Sequence, residues 1–157
     1  MATVRTATVA DLETLMSFIR KKEAFDRDIG SFSGELRAST DILRDTMFGA
    51  QAKASALFLE QPGAGVSGFA LYYFRFSSFA GRPSLWLDDL FVEPSERGRG
   101  GGRQLMRAVV EVAQQARCTH LGWSADERNS KGVAFYRAIG ATPVAQNGHA
   151  ITWQLPV

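Results

Sequence analysis

Apolar and polar residues alternate with recognisable periods in the first part of this chain. Residues 4–8 are short and β-branched, which predicts a strand, and Asp11 is placed to cap the helix that follows. The apolar residues of that helix share one face at helical spacing: Leu12, Leu15, Met16 and Ile19. The pattern weakens at Lys21 and Lys22, so we expect the helix to end there and the acidic residues after it to lie in a loop.

The middle of the chain carries a second helix and three strands. A short helix is predicted over residues 40–48, with Ser39 or Thr40 as its N-cap. Three apolar runs of strand length follow, at residues 54–60, 66–76 and 84–92. The loops between them are short, which favours antiparallel pairing. Asp88 and Asp89 interrupt the third run, where an ionised carboxylate is costly unless it is paired or used.

The second half of the chain alternates helices with strands. One amphipathic helix carries its apolar residues at helical spacing: Leu105, Val109, Val112, Ala113 and Ala116. After it we predict a strand over residues 119–124, a helix over 130–139, and a final hairpin of residues 144–146 and 150–155. The order β-α-α-β-β-β-α-β-α-β-β predicts an α/β fold. Its mixed, mostly antiparallel sheet is flanked by helices, and its strand-helix-strand units make crossover connections.

The composition is that of an ordinary soluble protein. The chain has 157 residues, of which 45% are hydrophobic and 22% are charged, and its net charge is +2. We expect residues 1–157 to form a single cytoplasmic domain, since no apolar run reaches the roughly 20 residues that span a bilayer. The near-balanced charge disfavours nucleic acid or a membrane as the main partner. With one cysteine and two isolated histidines, we expect neither a disulfide nor a metal site.

The candidate chemistry begins at residues 97–102, Arg-Gly-Arg-Gly-Gly-Gly, which join the third apolar run to a helix. Glycines let successive backbone N–H groups approach a ligand without obstruction by a Cβ atom. The start of the next helix adds unpaired N–H groups and the positive end of its dipole. Arg97, Arg99 and Arg103 add positive charge, so the segment predicts a pyrophosphate site.

The spacing within this segment excludes two common phosphate loops. A Walker loop needs Gly-Lys followed by Ser or Thr, and a dinucleotide fingerprint counted from Gly98 needs a small residue where Arg103 stands. Arg97, Gly100 and Gly102 instead match Arg-x-x-Gly-x-Gly, which resembles the acetyl-coenzyme A loop of the GNAT acetyltransferase superfamily. An arginine-glycine segment that binds RNA or DNA is the alternative. Such segments lie in low-complexity chain, however, and not between a strand and an amphipathic helix.

Longer stretches resemble one branch of this superfamily, the spermidine/spermine and thialysine acetyltransferases. The similar stretches are residues 5–11, 66–74, 87–92, 97–102, 116–118 and 129–141. The resemblance extends over nearly the whole chain with few gaps, so it implies the GNAT fold. Three positions depart from the branch: Asp88 stands where it has Glu, Arg128 where it has Trp, and His149 where a Glu-Gly-Trp segment ends. These departures do not affect the residues that resemble the cofactor site, and they concern the residues that would bind the amine substrate.

The resemblance implies that the chain binds acetyl-coenzyme A as a co-substrate. The implied contact residues are Leu90, Phe91, Val92, Arg97, Gly98, Arg99, Gly100, Gly101, Gly102, Arg103 and Asn129. The main chain of Leu90 and Val92 is implied to meet the acetyl and pantetheine arm. Asn129 is equally placed to cap the helix after it, and the two roles are compatible.

Transfer of an acetyl group to an alkyl amine requires the loss of a proton, because such an amine has a pKa of about 10.4. Asp88 is the candidate general base, with a purely structural carboxylate as the alternative. Asp89 is expected to attract the cationic amine or to pair with a basic residue. The resemblance implies that Asp26 is a further substrate-binding acid; an ordinary solvated loop is the alternative. The resemblance also implies that Tyr136 is the general acid; a core tyrosine that packs beside Phe135 is the alternative.

The sequence therefore predicts an N-acetyltransferase that moves an acetyl group from acetyl-coenzyme A to the primary amine of a small cationic substrate, such as a polyamine or thialysine. Attack would be direct, within a ternary complex. Two alternatives stay open: a regulatory module that binds acetyl-coenzyme A with little turnover, and an acetyltransferase for an amino acid, an aminoglycoside or a protein N-terminus. The branch dimerises, so we expect a homodimer, paired through the outer face of late strands that carry Ile151, Trp153 and Leu155.

Overall fold

A computed structural model of the chain describes residues Met1–Val157. Its strands are β1 (Thr3–Thr6), β2 (Ser55–Gln61), β3 (Gly65–Ser77), β4 (Arg82–Val92), β5 (His120–Asp126), β6 (Thr142–Asn147) and β7 (Ala150–Pro156). Its α-helices are α1 (Leu12–Asp28), α2 (Thr40–Phe48), α3 (Gly101–Gln115) and α4 (Ser130–Ala138). This order confirms the predicted succession of elements and the α/β fold.

All seven strands form one mixed sheet in the order β1-β2-β3-β4-β5-β7-β6. The first four strands pair antiparallel with their neighbours in sequence, and the short loops predicted this for β2, β3 and β4. β4 and β5 are parallel, and α3 forms the crossover between them. β7 inserts between β5 and β6 and is antiparallel to both, which completes the mixed sheet.

Two apolar layers cover the faces of this sheet. On one face, α3 and α4 contribute residues such as Leu105, Val109 and Tyr136. On the other face, α1 and α2 contribute Leu15 and Leu43. Removing these side chains from water, at roughly 25 cal/mol per Å² of apolar surface, holds the helices against the sheet. No helix of the chain is both long and apolar enough to cross a membrane.

Helix α1 is longer than the sequence pattern predicted. The expectation that it ends near Lys22 is wrong, because the helix continues to Asp28. Ion pairs between Lys22 and Asp26 and between Glu23 and Arg27, each spaced by four residues, stabilise this charged last part. Asp26 therefore lies on a helix and not in a loop.

The predicted dimer face is also wrong. Ile151 and Trp153 belong to the core beneath α3 and α4, and Trp153 is completely buried. Successive residues of a strand face opposite sides of the sheet, and β7 directs these two inward. Leu155 packs against the same core. The large exposed aromatic side chains lie instead on the β3–β4 hairpin: Phe74, Phe76 and Phe79.

Candidate active site

The site forms where the central strands separate. β4 and β5 pair at only two positions, Leu85 with Leu121 and Trp86 with Gly122, and then diverge. A cavity of ≈ 660 Å³ lies in the gap, lined by residues 87–92 of β4 and 123–126 of β5. Residues of α1 line it from one face of the sheet and residues of α4 from the other. The cavity therefore extends through the gap in the sheet and contacts the helices on both of its faces.

The glycine segment closes one end of this cavity. Gly98 and Gly100 have φ angles of 79° and 86°, which glycine adopts without a steric penalty. None of the backbone N–H groups of residues 98–103 donates a hydrogen bond within the protein, and α3 begins at Gly101. Free N–H groups at a helix N-terminus bind anions. A Cβ atom at Gly102 would lie 3.3 Å from Phe135, so glycine also keeps the space between the segment and Phe135 open.

Arg97 holds the glycine segment against the end of β4. Its Nε donates a hydrogen bond to the carbonyl oxygen of Val92 at 2.9 Å. Its guanidinium lies 5.4 Å from the centres of the Phe25 and Phe91 rings, which places it between α1 and β4. Arg97 lines the cavity, so one side chain fixes the segment and supplies positive charge beside it.

Two predicted contact residues of the segment do not line this cavity. Arg99 pairs with Glu96 and borders a neighbouring depression on the surface. Gly101 is buried, and a Cβ atom there would lie 2.5 Å from Leu59, so its role is close packing of α3 on β2. Arg103 borders both the cavity and the depression.

Asn129 caps α4 at the edge of the cavity. Its Oδ1 accepts a hydrogen bond from the backbone N–H of Gly132 at 3.1 Å, which confirms the predicted cap. A Cβ atom at Gly132 would lie 2.4 Å from Nδ2 of Asn129, so glycine leaves room for the capping amide. Nδ2 donates no hydrogen bond within the protein and is available to a ligand.

Tyr136 lies nearly two helical turns after Asn129, between aromatic neighbours. Its ring packs 5.0 Å from Trp123 and 5.7 Å from Trp153, centre to centre, and the residue is 8% exposed. Its hydroxyl lines the cavity without a hydrogen-bond partner in the protein. Burial, reinforced by the negative charges of Asp26 and Asp89, raises the pKa of Tyr136 to about 12. The hydroxyl is thus a proton donor at neutral pH.

Asp88 is the additional residue of a β-bulge. The residues on either side of it pair with two adjacent residues of β3, Leu71 and Tyr72, so Asp88 itself has no partner in the register. It lines the cavity and is solvent-accessible there. Desolvation by the surrounding protein raises the pKa of its carboxyl, while the positive charge of Lys22 acts in the opposite direction.

Asp89 faces α1 at the same end of the cavity. Lys22 forms an ion pair with Asp26, and its Nζ lies 3.9 Å from Oδ1 of Asp89. Burial raises the pKa of Asp89 to about 6, against the effect of Lys22. The structure therefore brings three predicted carboxylates, Asp26, Asp88 and Asp89, to one end of the cavity, and the charges of Asp26 and Asp89 act on Tyr136.

This arrangement of splayed strands, glycine segment and opposed acidic end coincides with a family match. The model of the acetyltransferase (GNAT) family matches residues 22–141, which include the glycine segment, the three carboxylates, Asn129 and Tyr136. The chain belongs to the GNAT family. It is accordingly an acyl-transferring N-acetyltransferase, as the sequence predicted.

Among relatives of this GNAT chain is the thialysine N-epsilon-acetyltransferase of Mus musculus. It is 29% identical over 151 residues, covering 92% of this chain and 86% of the relative. The human spermidine/spermine N(1)-acetyltransferase-like protein 1 is 26% identical over 144 residues, which is 88% of this chain but 20% of that protein. Both belong to the branch that the sequence motifs indicated.

A solved structure shares the fold over its whole length. The PaiA N-acetyltransferase of Thermoplasma acidophilum, determined in complex with coenzyme A, superposes with a TM-score of 0.77 at 16% identity. The superposition covers 100% of this chain and 99% of that one. At this level of identity the similarity concerns the fold alone.

Several residues of this GNAT site are not among the predicted site residues. Lys22 is the most important of them, because the hydrophobic pattern indicates a helix end at Lys22, whereas its side chain lines the cavity. A signal was present: Leu15, Phe18, Lys22 and Phe25 follow each other at intervals of three and four residues, which places Lys22 on the buried face of α1. Other lining residues, such as Ser31, became visible only through the fold.

Proposed function

We propose that this GNAT enzyme transfers the acetyl group of acetyl-coenzyme A to the primary amine of a small cationic substrate within a ternary complex. One observation carries the proposal. A single cavity has unpaired backbone N–H groups and arginines at one end, and three carboxylates with a protonated tyrosine at the other. The first end suits an anionic cofactor, and the second suits a cationic amine.

The residues present fit coenzyme A as the cofactor. Residues 98–103 with Arg97 and Arg103 would hold the pyrophosphate, and the Asn129 amide would bind the pantetheine arm. When bound, acetyl-coenzyme A supplies an acetyl group activated as a thioester. The residues of β4 that line the gap, among them Leu90 and Val92, would orient that group between the separated strands.

The acidic end would prepare the amine. An alkyl ammonium must lose its proton before its nitrogen can attack, and Asp88 is placed to accept that proton directly or through a water. Its raised pKa favours this role, because a carboxylate with a higher pKa is a stronger base than an ordinary one. The net negative charge of Asp26, Asp89 and their partner Lys22 would attract the ammonium towards Asp88. The Tyr136 hydroxyl would donate its proton to the departing thiolate.

The proposed function is tested by thiol release from acetyl-coenzyme A over a panel of amines. The panel contains polyamines, thialysine, lysine analogues, amino acids, aminoglycosides and a peptide N-terminus. We expect turnover with small alkyl amines and the appearance of the N-acetyl product by mass spectrometry. Absence of turnover together with absence of acetyl-coenzyme A binding would overturn the proposal. Tight binding without turnover on any amine would instead support a regulatory module.

We also propose that the enzyme is a homodimer. The supporting observation is the exposed aromatic group on the β3–β4 hairpin, in which Phe76 is 72% exposed and Phe79 is fully exposed. Exposed aromatic groups of this kind mark association surfaces. The late strands, whose apolar residues belong to the core, are not the proposed contact.

A further inference from the structure

Lys22 brings a positive charge into the acidic end of the cavity. Its side chain is 21% exposed, and those of its neighbours Asp26 and Asp89 are 27% and 21% exposed. Lys22 pairs with Asp26 on the same helix and reaches within 3.9 Å of Asp89 on β4. The ammonium group therefore lies between two of the three carboxylates, largely shielded from solvent.

The position of Lys22 follows from the fold of α1. The residue lies four positions after Phe18, on the face of the helix that packs against the sheet. That face runs past β4 beside the cavity, and Asp26 is one turn further along the same helix. Lys21, by contrast, pairs with Glu93 and does not line the cavity. Two adjacent lysines thus have different surroundings.

A lysine side chain is an alkyl chain that ends in an ammonium. It has the chemistry of one end of a diamine, and here it is covalently attached to the protein. The second ammonium of a diamine would seek the same carboxylates that Lys22 already contacts, Asp26 and Asp89. It would also be repelled by the fixed positive charge of Lys22. A monoamine has only the reacting nitrogen, which meets Asp88, and it brings no second positive charge beside Lys22.

We infer that Lys22 is a specificity-determining residue that occupies the subsite for a second substrate ammonium and thereby selects monoamines over diamines. The inference rests on the proposed function, since it concerns the amine that this enzyme acetylates. It narrows the substrate class to amines with no second positive charge close to the reacting nitrogen. Tyr136 is 8% exposed and lines the cavity, and its hydroxyl has no hydrogen-bond partner in the protein, which independently indicates that a ligand belongs at this end.

The experiment compares two substrates that differ only in the second charge, n-butylamine and 1,4-diaminobutane. The wild type is expected to have the higher kcat/KM for butylamine. Lys22→Met, with Lys22→Gln as a second uncharged variant, should raise the diamine-to-monoamine ratio of kcat/KM by roughly tenfold or more. Lys22→Arg keeps the charge and should keep the wild-type ratio. Lys21→Met is the matched control and should also leave the ratio unchanged.

Binding of 1,4-diaminobutane, measured by calorimetry with and without coenzyme A, separates this inference from the proposed function. Turnover with an unchanged ratio in both uncharged variants would overturn the role of Lys22 and leave acetyl transfer intact. If no variant acetylates any amine but Lys22→Met binds the diamine more tightly, the result supports the subsite at Lys22 and overturns the proposed acetyl transfer. If there is neither turnover nor a gain in binding, both are overturned.

Discussion

The Tyr136 hydroxyl lies in surroundings that keep it protonated. The ring is buried, the hydroxyl has no hydrogen-bond partner in the protein, and the pKa of Tyr136 is raised to about 12. We expect Tyr136→Phe to lower kcat by roughly tenfold to a thousandfold, because a proton donor to the leaving group is lost. Affinity for acetyl-coenzyme A should stay near the wild-type value, since no binding contact is removed.

Tyr72→Phe is the control for this substitution. Tyr72 is also buried, but it does not line the cavity. Steady-state kinetics should show a wild-type kcat for Tyr72→Phe. An unchanged kcat in Tyr136→Phe would limit Tyr136 to its packing contacts with the tryptophans.

The Asp89 carboxyl makes stability depend on pH. Its pKa in the folded protein, about 6, is above the ordinary value of 3.8, so the folded state binds more protons between these pH values. The free energy of unfolding therefore falls as the pH rises from about 4 to about 6, and stays lowered above that range. Asp89→Asn removes this penalty. We expect a gain on the order of 1–2 kcal/mol at pH 7 and almost none at pH 4.

Asp11→Asn provides a control of opposite sign in the same urea unfolding series. The hydrogen bonds from Arg5 lower the pKa of Asp11 to about 2, so its stabilising effect is present above the ordinary pKa and is lost as the pH falls towards 2. Asp11→Asn should destabilise the protein at pH 7 and progressively less at lower pH. An Asp89→Asn variant less stable than the wild type at pH 7 would contradict the assigned shift.

At the scale of elements, the glycine segment joins a strand to the N-terminus of α3. A valine at Gly100 would be strained at its φ of 86°, and its side chain would project where residues 98–103 present free N–H groups. We expect Gly100→Val to weaken acetyl-coenzyme A binding by roughly a hundredfold or more, because the pyrophosphate can no longer approach the backbone. Calorimetry measures the affinity.

Gly63→Val is the matched control for the strain alone. Gly63 has a φ of 73°, and nothing lies within 4 Å of its Cβ position, as at Gly100. It belongs to the β2–β3 turn, outside the cavity. Both variants should lose comparable stability, and only Gly100→Val should lose the cofactor. Equal affinity in the two variants would remove the segment from the binding site.

Arg128 connects two loops beside the mouth of the cavity. Its Nη2 donates to the carbonyl oxygen of Gly30 at 3.0 Å and to Asp126 at 2.7 Å, which ties the end of α1 to the β5–α4 loop. We expect Arg128→Gln to raise the KM for the amine by roughly threefold to tenfold with little effect on kcat, since the segment after α1 loses its anchor. Hydrogen exchange at residues 29–31 should accelerate.

Arg44→Gln serves as the control for Arg128→Gln. Arg44 pairs with Asp41 on the exposed surface of α2, away from the cavity. It should change neither the KM nor the exchange of residues 29–31. A kcat effect without a KM effect in Arg128→Gln would assign Arg128 to the chemistry and not to positioning.

At the scale of the whole molecule, the exposed aromatic hairpin predicts self-association. Phe74, Phe76 and Phe79 present apolar surface at the end of β3 and in the turn after it. Light scattering at micromolar concentration should give about twice the chain mass of 17.2 kDa. Phe76→Ser combined with Phe79→Ser should return the protein to a monomer. A wild-type mass of 17.2 kDa would refute the dimer.

The local sequence pattern was sufficient to predict the succession of strands and helices and the anion-binding character of the glycine segment. Strand and helix periods are properties of neighbouring residues, and the chemistry of residues 97–102 is local as well. The motifs were also sufficient to identify the GNAT family, and the family match to residues 22–141 confirms this identification. The end of α1 could not be placed in this way, because the ion pairs that continue it look like an ordinary polar loop in sequence.

Which residues of the site contact one another depends on how the elements pack. The bulge that exposes Asp88, the separation of β4 from β5, and the meeting of Lys22 with Asp89 all depend on pairing between segments far apart in the chain. The inward orientation of Ile151 and Trp153 is likewise set by the register and packing of β7. The sequence determined the elements and the family because those signals are periodic and local. The charge balance of the amine end arises only when α1 and β4 pack together, and no local pattern encodes it.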